Sequence, residues 1–303
     1  MSGQLFKFGI NKPKQEETVK TSAEAVSQEM TDTEFKEFRD EIYKLCGIYF
    51  TESKKYLLEG RILKRMAANN IKTFSDYIKL IRNPLKKDEL DRLYEAITIN
   101  ETYFFRAPQQ FEALENIIIP EILANKKNTV MPTFRIWSAA CSTGEEPYTL
   151  ALIVLESLRH KYPNVSFQIV GSDINQSVLE TAKQGIYKEY AIRNIPKPLL
   201  NKYFKQEGNL YHLSNDVKKL VKFININLYD PNQVKLVSQC DVIFCANVLI
   251  YFDLPSKQQV VSYLYNALNV GGYLFIGYSE SLHGISKSFK LVHLPKAMAY
   301  QKE

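Results

Sequence analysis

Apolar residues along this chain follow two rhythms. Phe35, Phe38, Ile42 and Leu45 recur at three- and four-residue spacing, the mark of a helix with one face on a core. The TDTE run before them is a capping box that puts Thr31 or Thr33 near the N-cap, and Gly47 supplies the stop. Further helical segments are expected at 54–69, 73–82 and 87–97. Together they predict a small all-α domain over 32–98. Residues 1–31 mix Lys, Glu, Gln, Ser and Thr with few apolar groups after Phe8 and Ile10, so a disordered tail is expected there.

Beyond residue 133 the rhythm changes to short, unbroken apolar runs. Phe134, Ile136 and Trp137 begin the series, followed by 165–172, 221–225, 241–246 and 273–277, with loop or helix signals between them. Strands alternating with helices predict an α/β fold, a doubly wound and mostly parallel sheet. The segments 289–293 and 297–301 around Pro295 read as an antiparallel hairpin closing that sheet's edge.

Composition fits this picture: 303 residues, 45% hydrophobic and 24% charged, enough for two domains with cores. No apolar run approaches the ~20 residues that span a bilayer, and the N-terminus lacks a signal-peptide core. A cytoplasmic protein is therefore expected, without membrane insertion and, by default, monomeric. Cys46, Cys141, Cys240 and Cys245 lack metal-ligand spacing, so they are read as reduced and structural, with no metal site.

Candidate chemistry concentrates where the first strand opens a helix. Ser138 to Gly144 leave little bulk between backbone and ligand, and Glu145 and Glu146 fall in the first helical turn, where the macrodipole favours acids. One glycine and two carboxylates suit phosphate poorly. They suit a cofactor carrying an ammonium or sulfonium group. Asp173, at the end of the second strand, can accept two ribose hydroxyls; the competing reading makes it the N-cap of a helix over 175–184. In the linker, Phe104, Phe105 and Phe111 can pack on the sheet and fix Arg106 beside Asn100 and Thr102. A planar guanidinium there suits a carboxylate. The second helix places Lys54, Arg61, Lys64 and Arg65 within an arc of about 100°, which offers either a solvated face or a dock for an acidic partner. The net charge of +6 does not choose between them. Nucleic acid is disfavoured, because no base-stacking aromatic series accompanies these bases.

Taken in order, NETYFFR (100–106), WSAACSTGEEPYTLAL (137–152), GSDINQSVLETAKQGIY (171–187), INLYD (226–230), VIFCANVLIYF (242–252) and LFIGYSESL (274–282) resemble the CheR-type chemotaxis receptor methyltransferases. GIYFTESKKYLLEGRILKRM (47–66) is similar to that family's all-α domain. The likeness covers about residues 32–302. It implies a Rossmann-like methyltransferase domain over 99–303, following an all-α receptor-docking domain. It also implies transfer of a methyl group from S-adenosylmethionine, leaving S-adenosylhomocysteine, to glutamate side chains on the cytoplasmic helical bundle of chemoreceptors.

Residue by residue, the resemblance implies that Asn100, Thr102 and Arg106 line the cofactor and that Arg106 also meets the substrate carboxylate. One glutamate of the GEE turn, Glu146 preferred, takes the methionine moiety, and Asp173 takes the ribose. Asn227 and Leu228 hold the adenine edge, Asn247 lines the pocket near the sulfonium, and Tyr251 lies close to the transferring methyl. Arg61, Lys64 and Arg65 face the receptor. Two departures stand out. Ala246 occupies a position where many members carry Arg, and a small inserted subdomain expected over 203–223 reduces the peptide-gripping glycine-rich loop to Gly208. An adenine-amino methyltransferase should carry an Asn/Asp-Pro-Pro-aromatic loop where this chain has ANVLIYF. A non-catalytic cofactor-binding protein is the remaining alternative.

Overall fold

Side chains that alternate along three central strands sort into two cores. In the computed structural model, which describes residues 29–126 and 130–303, Phe134, Ile136, Val242, Phe244, Tyr273 and Phe275 enter one core. Their neighbours Trp137, Ala139, Ile243, Cys245, Leu274 and Ile276 enter the other. Burial on both faces is what a parallel sheet covered by helices requires. The tail expectation falls largely on residues 1–28, outside the described residues.

In chain order the strands are β1 (Thr133–Ala139), β2 (Ser166–Asp173), β3 (Ile186–Lys188), β4 (Phe204–Glu207), β5 (Leu210–Leu213), β6 (Val221–Asn225), β7 (Cys240–Cys245), β8 (Leu268–Ile276), β9 (Phe289–Leu294) and β10 (Ala297–Lys302). Seven of them form one sheet in the order β6-β2-β1-β7-β8-β10-β9. The first five in that order pair in parallel, and β10 pairs antiparallel with both β8 and β9. The terminal hairpin therefore extends the sheet as expected. From β1 the chain winds outward through β2 to β6, then returns to β7 on the other side of β1. The topological break lies between β1 and β7, and ligands bind beyond the carboxyl ends of such a pair.

The small second sheet, β3-β5-β4, differs from the expected 203–223 insert. β3 comes from upstream and pairs with β5, whereas β6 belongs to the main sheet alongside β2. A three-residue strand is too short for period-two patterning to reveal, so its membership depends on the pairing partner.

Four helices, α1 (Asp32–Cys46), α2 (Lys55–Ala68), α3 (Phe74–Arg82) and α4 (Lys87–Ile97), enclose a third core that includes Phe35, Phe38, Ile62, Tyr77 and Leu93. Thr31 is the N-cap of α1: its hydroxyl accepts the Glu34 N–H, and Glu34 returns the bond to the Thr31 N–H. Gly47 ends α1 at φ 73°. A Cβ there would lie 2.5 Å from the Tyr229 ring, so glycine serves both the left-handed turn and a close approach to the sheet domain. Among the described residues, no helix is long and apolar enough to cross a membrane.

Candidate active site

A cleft of about 480 Å³ opens at the topological break, within the range of small-molecule sites. The ends of four strands and the linker supply the expected residues. The turn after β1 contributes Ala140, Cys141 and Ser142, with Glu146 following in the helix Glu145–Ile153. Asp173 closes β2, and the segment after β7 brings Ala246, Asn247 and Tyr251. Asn100, Thr102 and Arg106 come from the linker, Asn227 and Leu228 from the loop after β6. All nine residues expected at a cofactor or catalytic site therefore line one cavity.

Backbone strain collects here. Ala140, Ser142 and Asn247, all lining the cleft, have φ of 57°, 52° and 62°, and Phe105, next to Arg106, has 54°. Such conformations cost free energy and persist where the surrounding structure enforces them. Gly144, at φ 93°, enters the helix so closely that a Cβ would approach Ala182 Cβ to 2.8 Å.

The carboxylates divide by partner. Glu145 is buried and accepts the Thr143 hydroxyl at 2.9 and 2.7 Å. Glu146 lines the cleft, accepts only the Ser138 hydroxyl among the described residues, at 2.7 Å, and is pushed by burial up to about 7, with Ser138 and the charge of Arg106 opposing. Asp173 is not a helix cap, since Asn175 accepts the N–H groups of Ser177 and Val178. Its two oxygens take the N–H groups of Ser142 and Asn175, each at 2.9 Å, and burial raises its carboxyl against those bonds. Two under-compensated carboxyls in one cleft fit a ligand that brings a cation to Glu146 and hydroxyl donors to Asp173.

Arg106 Nη1 donates to the Glu101 carbonyl at 2.9 Å, and its guanidinium stands 5.7 Å from the Tyr103 ring centroid. It has no carboxylate partner among the described residues. Burial raises the Tyr251 phenol, with Arg106 and Arg61 opposing.

Three of the expected residues are also held by other parts of the fold. Asn227 lines the cleft while its amide is engaged elsewhere: Nδ2 donates to the Leu45 carbonyl at 2.7 Å, and Oδ1 accepts the Tyr229 N–H at 3.0 Å. It ties the loop after β6 to the end of α1. On the basic helix, Arg65 grips Glu89 in two-pronged fashion, Nε to Oε1 at 3.0 Å and Nη2 to Oε2 at 2.7 Å. Arg61 donates to the Ile97 carbonyl at 2.7 Å. Both serve α4, and of the three basic residues only Lys64 stands exposed. Leu58, Ile62 and Met66 turn into the core, which swings Arg61 and Arg65 toward α4; a single helical wheel contains no information about that neighbour.

Glu280 is the residue the sequence reading missed. Buried at 9% exposure, it accepts three backbone N–H groups, from Asn247 at 2.8 Å, Gly277 at 2.7 Å and Ile250 at 3.2 Å. A Cβ on Gly277 would come within 2.9 Å of the Asn247 nitrogen. Its only sequence signal is an acid just past the end of β8. The four cysteines are free and buried, and burial pushes Cys46 and Cys240 up to about 12, which suits packing and not nucleophilic chemistry.

Residues 33–98 match the family model for the CheR methyltransferase all-alpha domain, and residues 100–298 match the model for the CheR methyltransferase SAM binding domain. The chain belongs to the CheR methyltransferase family. It is similar to chemotaxis protein methyltransferase 2 of Vibrio cholerae, 38% identical over 275 residues that cover 90% of this chain and 94% of that one. It is also similar to the chemotaxis protein methyltransferase of Borreliella burgdorferi, 36% identical over 244 residues, 80% of this chain and 86% of the relative. Within this CheR architecture most of the cleft falls in the SAM binding domain, while Cys46, Ile48, Ile97 and Thr98 reach it from the all-alpha domain.

Proposed function

We propose that this protein methylates glutamate side chains on the cytoplasmic helices of chemoreceptors, using S-adenosylmethionine and forming methyl esters for sensory adaptation. The observation that carries this reading is a single cleft lined by an under-compensated Glu146 and Asp173 and by an Arg106 that has no carboxylate partner among the described residues. The names of the two relatives support the chemotaxis setting.

In this reading Glu146 takes the cationic end of the methionine moiety, Asp173 accepts the ribose hydroxyls, and Leu228 borders the adenine in the loop that Asn227 fixes. Asn100, Thr102 and Asn247 complete the lining. When bound, S-adenosylmethionine supplies a methyl group on a positively charged sulfur. A substrate glutamate, with an ordinary pKa of about 4.3, is already ionised at neutral pH, so no general base is called for. The chain's contribution is orientation and partial removal of water. Arg106 orients the carboxylate and Tyr251 offers it a phenol hydrogen bond. A tighter grip by Arg106 would stabilise the ground state and slow the transfer, because opposite charges vanish as it proceeds. Lys64, exposed like Lys54 at the start of the basic helix, remains to meet an acidic receptor in the cytoplasm.

The test is incubation with methyl-labelled S-adenosylmethionine and receptor cytoplasmic fragments. Base-labile label on glutamate is expected. Label on nucleic acid alone, or cofactor binding without turnover on any receptor, would overturn the reading.

A further inference from the structure

The cleft mouth has a guanidinium that the reading above does not use. Arg193 lies 3.6 Å from the Tyr103 ring centroid and 3.7 Å from that of Tyr190. The two rings stand at 80° with centroids 6.3 Å apart, so the guanidinium sits in the corner between them. Tyr190 donates its hydroxyl to Glu101 Oε1 at 2.6 Å, and the Phe104 N–H donates to the Ala191 carbonyl at 2.9 Å, which locks the linker to this segment. Glu101 and Tyr103 both line the cleft, which places the corner at its mouth.

Each feature points toward a carboxylate acceptor. Two aromatic rings at 80° to each other flank the guanidinium in a corner and leave the rest of this exposed side chain open to an acceptor. It donates to the Tyr190 carbonyl; of its five N–H groups, the others meet no carboxylate among the described residues. Glu101, the nearest acid of the linker, is engaged by the Tyr190 hydroxyl instead. The two flanking rings restrain the fork, so less side-chain entropy is lost when an acceptor arrives. Arg106 and Arg193 both contact the Tyr103 ring, so acids held by the two must be close neighbours.

We propose that Arg193 forms a second carboxylate subsite, which takes an acidic side chain one helical turn from the glutamate held by Arg106. Residues three or four apart share a helix face, and a helical substrate presents two acids at that spacing. The inference rests on the methylation reading above and adds a specificity element to it: the preferred target glutamate has an acidic neighbour on its own face.

The experiment compares methyl transfer by the full chain to a receptor cytoplasmic fragment and to the same fragment with the acids flanking the target changed to glutamine. Arg193→Ala should raise KM for the acidic fragment about tenfold, the scale of one charge-assisted hydrogen bond. It should leave kcat, cofactor affinity and Tm in place, and its effect should vanish on the glutamine-flanked fragment. Arg193→Lys, which keeps charge but not the planar fork, should recover part of the loss. An unchanged KM, or a rise that persists on the glutamine-flanked fragment, would overturn the subsite and leave Arg193 as a brace for Tyr103. Absence of label with the wild-type protein would overturn the methylation reading and the subsite together, whereas normal wild-type labelling with an indifferent Arg193→Ala overturns the subsite alone.

Discussion

Glu280 accepts the backbone N–H of Asn247 through Oε2 at 2.8 Å, and this bond joins the loop after β7 to the loop after β8. Asn247 sits at φ 62°, a conformation that needs external support, and Ile250 leans on the other oxygen of the same carboxylate. Glu280→Gln replaces one acceptor by a donor facing N–H groups. An unpaired buried donor costs about 1–3 kcal/mol. Turnover and cofactor affinity are both expected to fall by roughly tenfold or more on that scale, read by calorimetry and labelled methyl transfer. Wild-type values for both would mean that the loop is held without this carboxylate.

Asp173→Ala removes an acceptor for Ser142 and Asn175 as well as the hydroxyl site. Cofactor affinity should weaken by about 1.5–3 kcal/mol, the range for hydrogen bonds to a charged group. Titration calorimetry with S-adenosylhomocysteine measures it, and an unchanged Kd removes the ribose assignment.

Glu146 gives a pH signature. Its carboxyl is raised to about 7 in the ligand-free fold, so at pH 6 it is mostly protonated and a bound cation must displace that proton. Cofactor affinity should therefore rise with pH through about 7 and level off above it, and Glu146→Gln should flatten the slope, leaving what the likewise raised Glu145 contributes. Stability moves the opposite way. The contribution of a raised carboxyl is fully present below its unfolded value and is lost as pH rises through the folded one, so this group favours the native state at low pH. A flat affinity profile between pH 5.5 and about 8 would contradict the assignment.

Arg65 and Lys64 are adjacent in sequence and should behave differently on reversal. Burial works to raise the Glu89 carboxyl, but the Arg65 and Tyr77 hydrogen bonds outweigh it and hold the group below its ordinary value. Arg65→Glu would set a second acid against that buried carboxylate, and breaking such a pair costs about 3–5 kcal/mol. Thermal denaturation should show a large fall in Tm. Lys64→Glu should leave Tm within a degree or two, as exposed substitutions do, and raise KM for receptor. Equal Tm values for the two variants would return Arg65 to the surface.

Local pattern carried much of the architecture because periodicity and capping are properties of adjacent residues. The spacing of Phe35, Phe38 and Ile42, the Thr31 cap with Glu34, and the Gly47 stop specify α1 without knowledge of its neighbours. The apolar runs at 134–137, 241–246 and 273–277 likewise announce strands buried on both faces. The cleft was legible in part for the same reason: ligands gather beyond the carboxyl ends of strands in such a sheet, so the Glu145–Glu146 turn and Asp173 could be placed from the ends of apolar runs, whereas Asn247 and Tyr251 were implied only by the family resemblance.

Long-range pairing was not legible. By itself the sequence determined two helical and strand rhythms, the caps that bound them, and the strand ends where chemistry gathers, because backbone geometry and side-chain periodicity act over a few residues. Tertiary structure alone decided that Arg65 belongs to Glu89, that Asn227 spends its amide on Leu45, that β3 joins the small sheet, and that Glu280 holds the loop of Asn247. The physical reason is that a charged or polar group is satisfied by whatever the folded chain brings within about 3 Å, and those partners lie tens to hundreds of residues away along the sequence.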